Sequence, residues 1–78
     1  IDLTKQEFTL LFYFMENPNI VHSREDIIDQ LYPYVDDTIL DRTVDAHIKN
    51  LRKKIEENPA SPKRIVTVRG MGYKFVAE

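Results

Sequence analysis

A mainly α domain of three helices, closed by a C-terminal β-hairpin, is the fold this sequence predicts, and two observations carry it. Up to residue 58, apolar residues recur at three- and four-residue spacing in separate blocks, the period of a helix face. From residue 65 the code changes to alternation, interrupted by two glycines, which is the pattern of two strands around a tight reversal. Seventy-eight residues without a cysteine make one small domain with no disulfide staple, a size at which the core is near its lower limit.

Each element has its own signal. In "LTKQE", Thr4 and Glu7 stand at capping-box spacing, and Leu3 and Phe8 fall on the staple positions. Behind the cap, Phe8, Leu11, Phe12 and Met15 predict the buried face of helix 1, with Tyr13 and Phe14 at its rim; Asn17 and Pro18 end it. Helix 2 follows "VH", capped by Ser23 with Asp26 three residues on, and buries Ile27, Ile28 and Leu31 before Pro33. "PYVDDTIL", residues 33–40, has no period and reads as a solvated loop around Asp36 and Asp37. Helix 3 is expected from a cap at Asp41 to Asn58 and Pro59, with Val44, Ile48, Leu51 and Ile55 on one stripe. After "ENPASPK", Ile65, Thr67 and Arg69 alternate with Val66 and Val68, "RGMGY" turns the chain at positive φ, and "YKFV" returns.

Charge is divided unevenly. Residues 1–40 carry two basic against eight acidic side chains, a balance of −6, and residues 41–78 carry nine against five, a balance of +4. The net −2 therefore hides an asymmetry that points to an anionic partner for the second half. Six of the cations, counting His47, lie in "RTVDAHIKNLRKKI", residues 42–55.

On helix 3 the stripe opposite the core is Arg42, Ala46, Lys49 and Lys53, flanked by Asn50. An α-helix fits the major groove of double-stranded DNA, where base edges are distinguishable. Lys49 can donate to guanine, Asn50 can pair with adenine, Asp45 can accept from cytosine, and Ala46 permits close approach. Arg42, Thr43, His47 and Arg52 suit phosphate by type, and Lys53 and Lys54 suit either. Arg69, at the hairpin tip, can enter a minor groove, while Thr67 and Tyr73 offer hydroxyls to the backbone. A helix in one groove and a ribbon in the next is the winged helix-turn-helix arrangement.

Other chemistries find little support. No apolar run approaches the length of a membrane span, and the start shows no signal-peptide pattern. His22 and His47 are far apart, with no ligand set around either, so no metal and no cofactor are expected; His22 reads as an entry to helix 2. "GMG" precedes a strand and not a helix, so it is no phosphate cradle. Catalysis lacks a nucleophile with its base. A chain beginning at Ile1 without methionine reads as an excised fragment, and the lack of cysteine fits a reducing, cytoplasmic home.

"LTKQEFTLL", "SREDIIDQLY", "DRTVDAHIKNLRKKI" and "IVTVRGMGYKF" closely resemble the OmpR/PhoB type of response-regulator effector domain, the output module of bacterial two-component systems, from about Leu3 to Val76. The resemblance implies a DNA-binding transcription regulator in which Arg42, Thr43, His47, Arg52, Thr67 and Tyr73 hold phosphates. Asp45, Ala46, Lys49 and Asn50 would face bases and Arg69 would serve the wing. It also implies a homodimer of the full-length protein on repeated half-sites, and an RNA polymerase contact at the loop of Asp36 and Asp37. Asn50 stands where many relatives carry arginine, which should change the preferred base. The family's N-terminal four-stranded sheet and receiver domain are expected to have no counterpart in these 78 residues apart from an edge segment at Ile1 to Leu3, and the missing sheet is expected to leave Leu10 or Phe14 exposed. The rival expectations are a winged-helix module that docks proteins without DNA specificity and, with less support, an enzyme.

Overall fold

The computed structural model describes residues 2–34 and 39–77. Three helices are present, α1 (Lys5–Glu16), α2 (Arg24–Leu31) and α3 (Asp41–Ile55), with three strands, β1 (Val21–His22), β2 (Ile65–Val68) and β3 (Gly72–Phe75). The strands form one antiparallel sheet in the order β1-β3-β2. The hairpin thus gains a third strand that the sequence reading did not include, because two residues are too few to display alternation.

Helix 1 starts as its sequence requires. The Thr4 hydroxyl accepts from the Glu7 amide at 3.1 Å, and the Glu7 carboxylate accepts from the Thr4 amide at 2.9 Å. Its buried face is not the expected one. Phe8, Phe12 and Met15 are 61%, 58% and 57% exposed, whereas Leu10 and Phe14 are fully buried beside Glu7. Residues 8 to 15 are apolar at seven of eight positions, giving two stripes roughly 120° apart, and periodicity cannot choose between them. The stripe that turns inward is the one carrying Glu7, whose carboxylate meets Lys54 of α3 in an ion pair. Leu3 packs on the core and Phe8 does not, so the outer half of the expected staple lies in solvent.

Helix 2 follows the reading closely: the Ser23 hydroxyl accepts from the Asp26 amide at 3.0 Å, and Ile27 and Leu31 are buried. Helix 3 is displaced at both ends. Leu40 is its N-cap, without a side-chain cap bond, and Asp41 is the first helical residue, where its charge still complements the helix dipole. The helix stops at Ile55, before Asn58, because Glu56 turns extended and its carboxylate accepts from the amides of Lys63, Arg64 and Ile65 at 2.8–3.2 Å. One buried carboxyl group thereby serves the backbone amides where the α3–β2 connection enters the strand.

The core joins Leu10 and Phe14 of α1, Ile27 and Leu31 of α2, Val44, Ile48 and Leu51 of α3, and Ile65, Tyr73 and Phe75 of the sheet. Two backbone sites make the sheet feasible. Asn19 takes positive φ (63°) and its amide donates to the Phe75 carbonyl at 2.7 Å, delivering β1 beside β3. At Gly72 (φ 143°) any Cβ would lie 2.0 Å from the His22 carbonyl oxygen, so only glycine admits that strand. Gly70 (φ 76°) serves the turn alone, where the Met71 amide donates to Val68 at 2.9 Å. His22 is buried against Tyr13 and Phe14, with Nε2 3.1 Å from the Asn17 carbonyl oxygen.

Candidate nucleic-acid interface

Helix 3 lies across the core on Val44, Ile48 and Leu51 and turns its opposite side outward. Arg42, Ala46, Lys49, Asn50 and Lys53 are all exposed, so the outer stripe is cationic, with a small residue at its middle. Arg69 and Thr67 are exposed on the hairpin. The other expected DNA-binding residues are held partly or wholly within the molecule. Thr43, Asp45, His47 and Arg52 are half-buried, and Tyr73 is 6% exposed.

The half-buried residues brace the helix. Oδ1 of Asp45 accepts from Nε of Arg24 on α2 at 2.9 Å and from the Tyr73 hydroxyl on β3 at 2.6 Å. Arg52 donates from Nε and Nη2 to the Ile65 carbonyl, at 3.0 and 2.7 Å, and from Nη2 to the Thr67 hydroxyl at 2.9 Å. Its guanidinium also lies 5.5 Å from the centre of the Tyr73 ring. His47 Nε2 and the Tyr32 hydroxyl share a hydrogen bond of 2.7 Å. Lys54 points away from the outer stripe, donating to the Asp2 carbonyl oxygen at 2.8 Å as well as to Glu7.

The electrostatics agree with this geometry. Burial acts to raise the Asp45 carboxyl, but the hydrogen bonds from Tyr73 and Arg24 outweigh it and hold the group below the usual carboxylate range. Burial, with the hydrogen bond to Asp45, pushes the Tyr73 hydroxyl above its ordinary value. For Arg24, the hydrogen bond to Asp45 favours the charged guanidinium still further. Thus Asp45 is ionised and engaged, with one oxygen serving two donors.

The outer stripe of Arg42, Ala46, Lys49 and Asn50 was legible from periodicity; Arg24, Tyr32 and Glu56 were not. Arg24 stands 21 residues before the carboxylate it meets, and no local spacing joins such a pair. Asp36 and Asp37, expected at a polymerase contact, lie outside the described residues.

Three helices with a ribbon folded beside the outermost one define a winged helix. The chain belongs to the family described as "Transcriptional regulatory protein, C terminal", whose model matches residues 1–75. Among individual proteins it is similar to the sensory transduction protein RegX3 of Mycolicibacterium smegmatis, 50% identical over 77 residues, 96% of this chain. It spans about a third (32%) of that protein's length. The DNA-binding domain of RstA from Klebsiella pneumoniae, in complex with RstA box, superposes with TM-score 0.84 at 32% identity, covering 97% of this chain and 74% of that one. DrrB of Thermotoga maritima, an OmpR/PhoB homologue, gives TM-score 0.88 at 38% identity over 99% of this chain and 34% of its own.

Proposed function

We propose that this chain is the sequence-specific, double-stranded DNA-binding domain of a two-component response regulator, with α3 in the major groove and the β2–β3 hairpin at the adjacent minor groove. The observation that carries the reading is the outward stripe of α3. Arg42, Lys49, Asn50 and Lys53 are exposed around the small Ala46, on a helix whose other side is locked into the core. In this reading Lys49, Asn50 and Ala46 face bases, for which their exposure on one stripe is the support. Arg42 and Thr43 suit phosphate, Lys53 suits either, and Arg69 suits the minor groove. His47, Arg52, Thr67 and Tyr73 contribute chiefly by bracing these elements. The RstA DNA-binding domain, whose fold this chain shares, is in complex with RstA box, which supports DNA binding by this fold.

The wider reading follows from the family. The domain is part of a longer cytoplasmic regulator with a receiver domain, which pairs on repeated half-sites. Residues 33–40 provide its contact with RNA polymerase, and its role is non-enzymatic. No helix among the described residues is long and apolar enough to cross a membrane.

The test is selection of bound duplexes from a random pool at fixed, near-physiological salt. Enrichment of a short motif, repeated about every 10 to 11 base pairs, is the expected result. Binding to a partner that survives high salt and ignores DNA points to the protein-docking module instead, because phosphate contacts release counterions and weaken steeply with salt. Lys49→Ala should cost about 1–3 kcal/mol and relax preference at one position. An equal loss on every sequence would make Lys49 a phosphate contact.

A further inference from the structure

We infer that Asp45 is a positioning residue that ties the recognition helix to the wing, and not a reader of cytosine; this rests on the DNA-binding reading above. Three elements converge on its Oδ1: Arg24 opens α2, Tyr73 lies in the central strand, and Asp45 itself sits in the second turn of α3. The Tyr73 hydroxyl belongs to a residue only 6% exposed and donates to this carboxylate. Swinging Asp45 towards a base edge would strip that hydroxyl, on a residue largely shielded from bulk water, of its acceptor, which is the costly loss, and would release the solvent-exposed Arg24 from its counter-charge.

The tie does not stand alone. Seven residues further along α3, about two helical turns, Arg52 grips the Ile65 carbonyl and the Thr67 hydroxyl and covers the Tyr73 ring. Thr67 is paired directly with Tyr73 across the sheet, so the two braces meet at one point on the ribbon. Between them they fix where the hairpin stands relative to α3. A helix and a wing that enter neighbouring grooves must keep a constant span, since loss of register in either weakens both sets of contacts. The structure places that span under the control of Asp45, Arg24 and Tyr73, of which the latter two need touch no base.

The experiment compares the 78-residue chain with Asp45→Asn, Arg24→Ala and Tyr73→Phe. Asn and Phe preserve side-chain shape, and circular dichroism confirms that each variant is folded. Affinity is measured at fixed salt for the duplex selected by the unsubstituted protein and for a shuffled duplex, followed by a position-by-position preference profile. The expected result is that all three variants lose discrimination, by roughly tenfold. The loss should spread over several base pairs, including those beneath the wing. The double variant of Arg24→Ala and Asp45→Asn should lose no more than either alone, the signature of one shared unit.

The inference is overturned if Asp45→Asn relaxes preference at a single base pair while the other two variants leave the profile intact, because Asp45 is then a base reader. It is overturned equally if all three keep the full profile. If the unsubstituted chain does not distinguish the duplexes, the DNA-binding reading falls and takes this inference with it.

Discussion

Replacing Lys54 with methionine tests the ion pair on the inward side of α1. The Glu7 side chain is 4% exposed and the Lys54 side chain 32%, and the pair is reinforced by the bond from the Thr4 amide to the same carboxylate oxygen. The hydrogen bond from Lys54, then that from Thr4, hold the Glu7 carboxyl below its usual range against the opposing effect of burial. A charge-assisted hydrogen bond contributes about 1.5–3 kcal/mol, and solvent at the ammonium favours the lower half of that range. Methionine keeps most of the aliphatic stem, so the loss at pH 7 should be about 2 kcal/mol. With a denaturant slope of about 1 kcal/mol per molar urea, the midpoint should fall by roughly 2 M.

The pH dependence supplies the refutation. A carboxyl whose folded pKa is lowered stabilises the fold fully above its unfolded value, near 4.3, and loses that contribution as pH falls through the folded value. In Lys54→Met the principal cause of the lowering is gone. The difference between the two proteins should therefore be large at pH 7 and shrink steadily as pH is taken below about 4.3. Urea midpoints measured at pH 7, 5 and 3.5 decide the matter. A deficit that is the same at all three would mean that the lost packing of the lysine stem, and not the ion pair, is responsible.

Three further outcomes are expected. Glu56→Gln turns an amide donor towards the backbone amides of Lys63, Arg64 and Ile65, and should cost about 2–3 kcal/mol in urea unfolding; an unchanged midpoint would contradict the clasp drawn for that carboxylate. Gly72→Ala meets backbone at 2.0 Å and should cost on the order of 3 kcal/mol or more, whereas Gly70→Ala, with nothing within 4 Å, should cost only about 1–2 kcal/mol for its positive φ; thermal melts that rank the two the other way would refute the assignment of Gly72 to the β1 contact. Phe12→Ser should lower binding of a hydrophobic dye and any self-association seen in sedimentation while leaving the melting temperature within a few degrees, since Phe12 is 58% exposed; a large fall would show that it is part of the core.

The order of helices and the hairpin, the Thr4–Glu7 and Ser23 caps and the outward stripe of α3 were all readable locally. Caps act within three residues, and α3 has a single apolar stripe among charges, so one period fits it. Helix 1 defeated the same method because it is apolar on two sides. The stripe that faces inward packs Leu10 and Phe14 on the core and pairs Glu7 with Lys54, 47 residues away, contacts that no window over residues 5–16 contains. Strand β1 was hidden by its brevity and is created by its partner β3, and the true end of α3 depends on amides beyond a seven-residue connection. The interface residues divide along the same line. Exposed Lys49 and Asn50 are legible from helical phase, whereas the engagement of Asp45 and Arg52 depends on tertiary neighbours.

The position of β3 between β1 and β2 has a kinetic consequence. Pairing Val21 with Lys74 closes a loop of about fifty residues, whose entropic cost must be met before the contact yields anything in return. The β2–β3 ribbon can be sampled early, since its strands are joined by a three-residue reversal. Docking of β1 must wait until α2 and α3 have brought the two ends of the chain together. Once seated, β1 makes the start of α2 and the root of the ribbon a single cooperative unit. Hydrogen exchange at the β1–β3 amides should then proceed through global unfolding and not through local fraying of the ribbon.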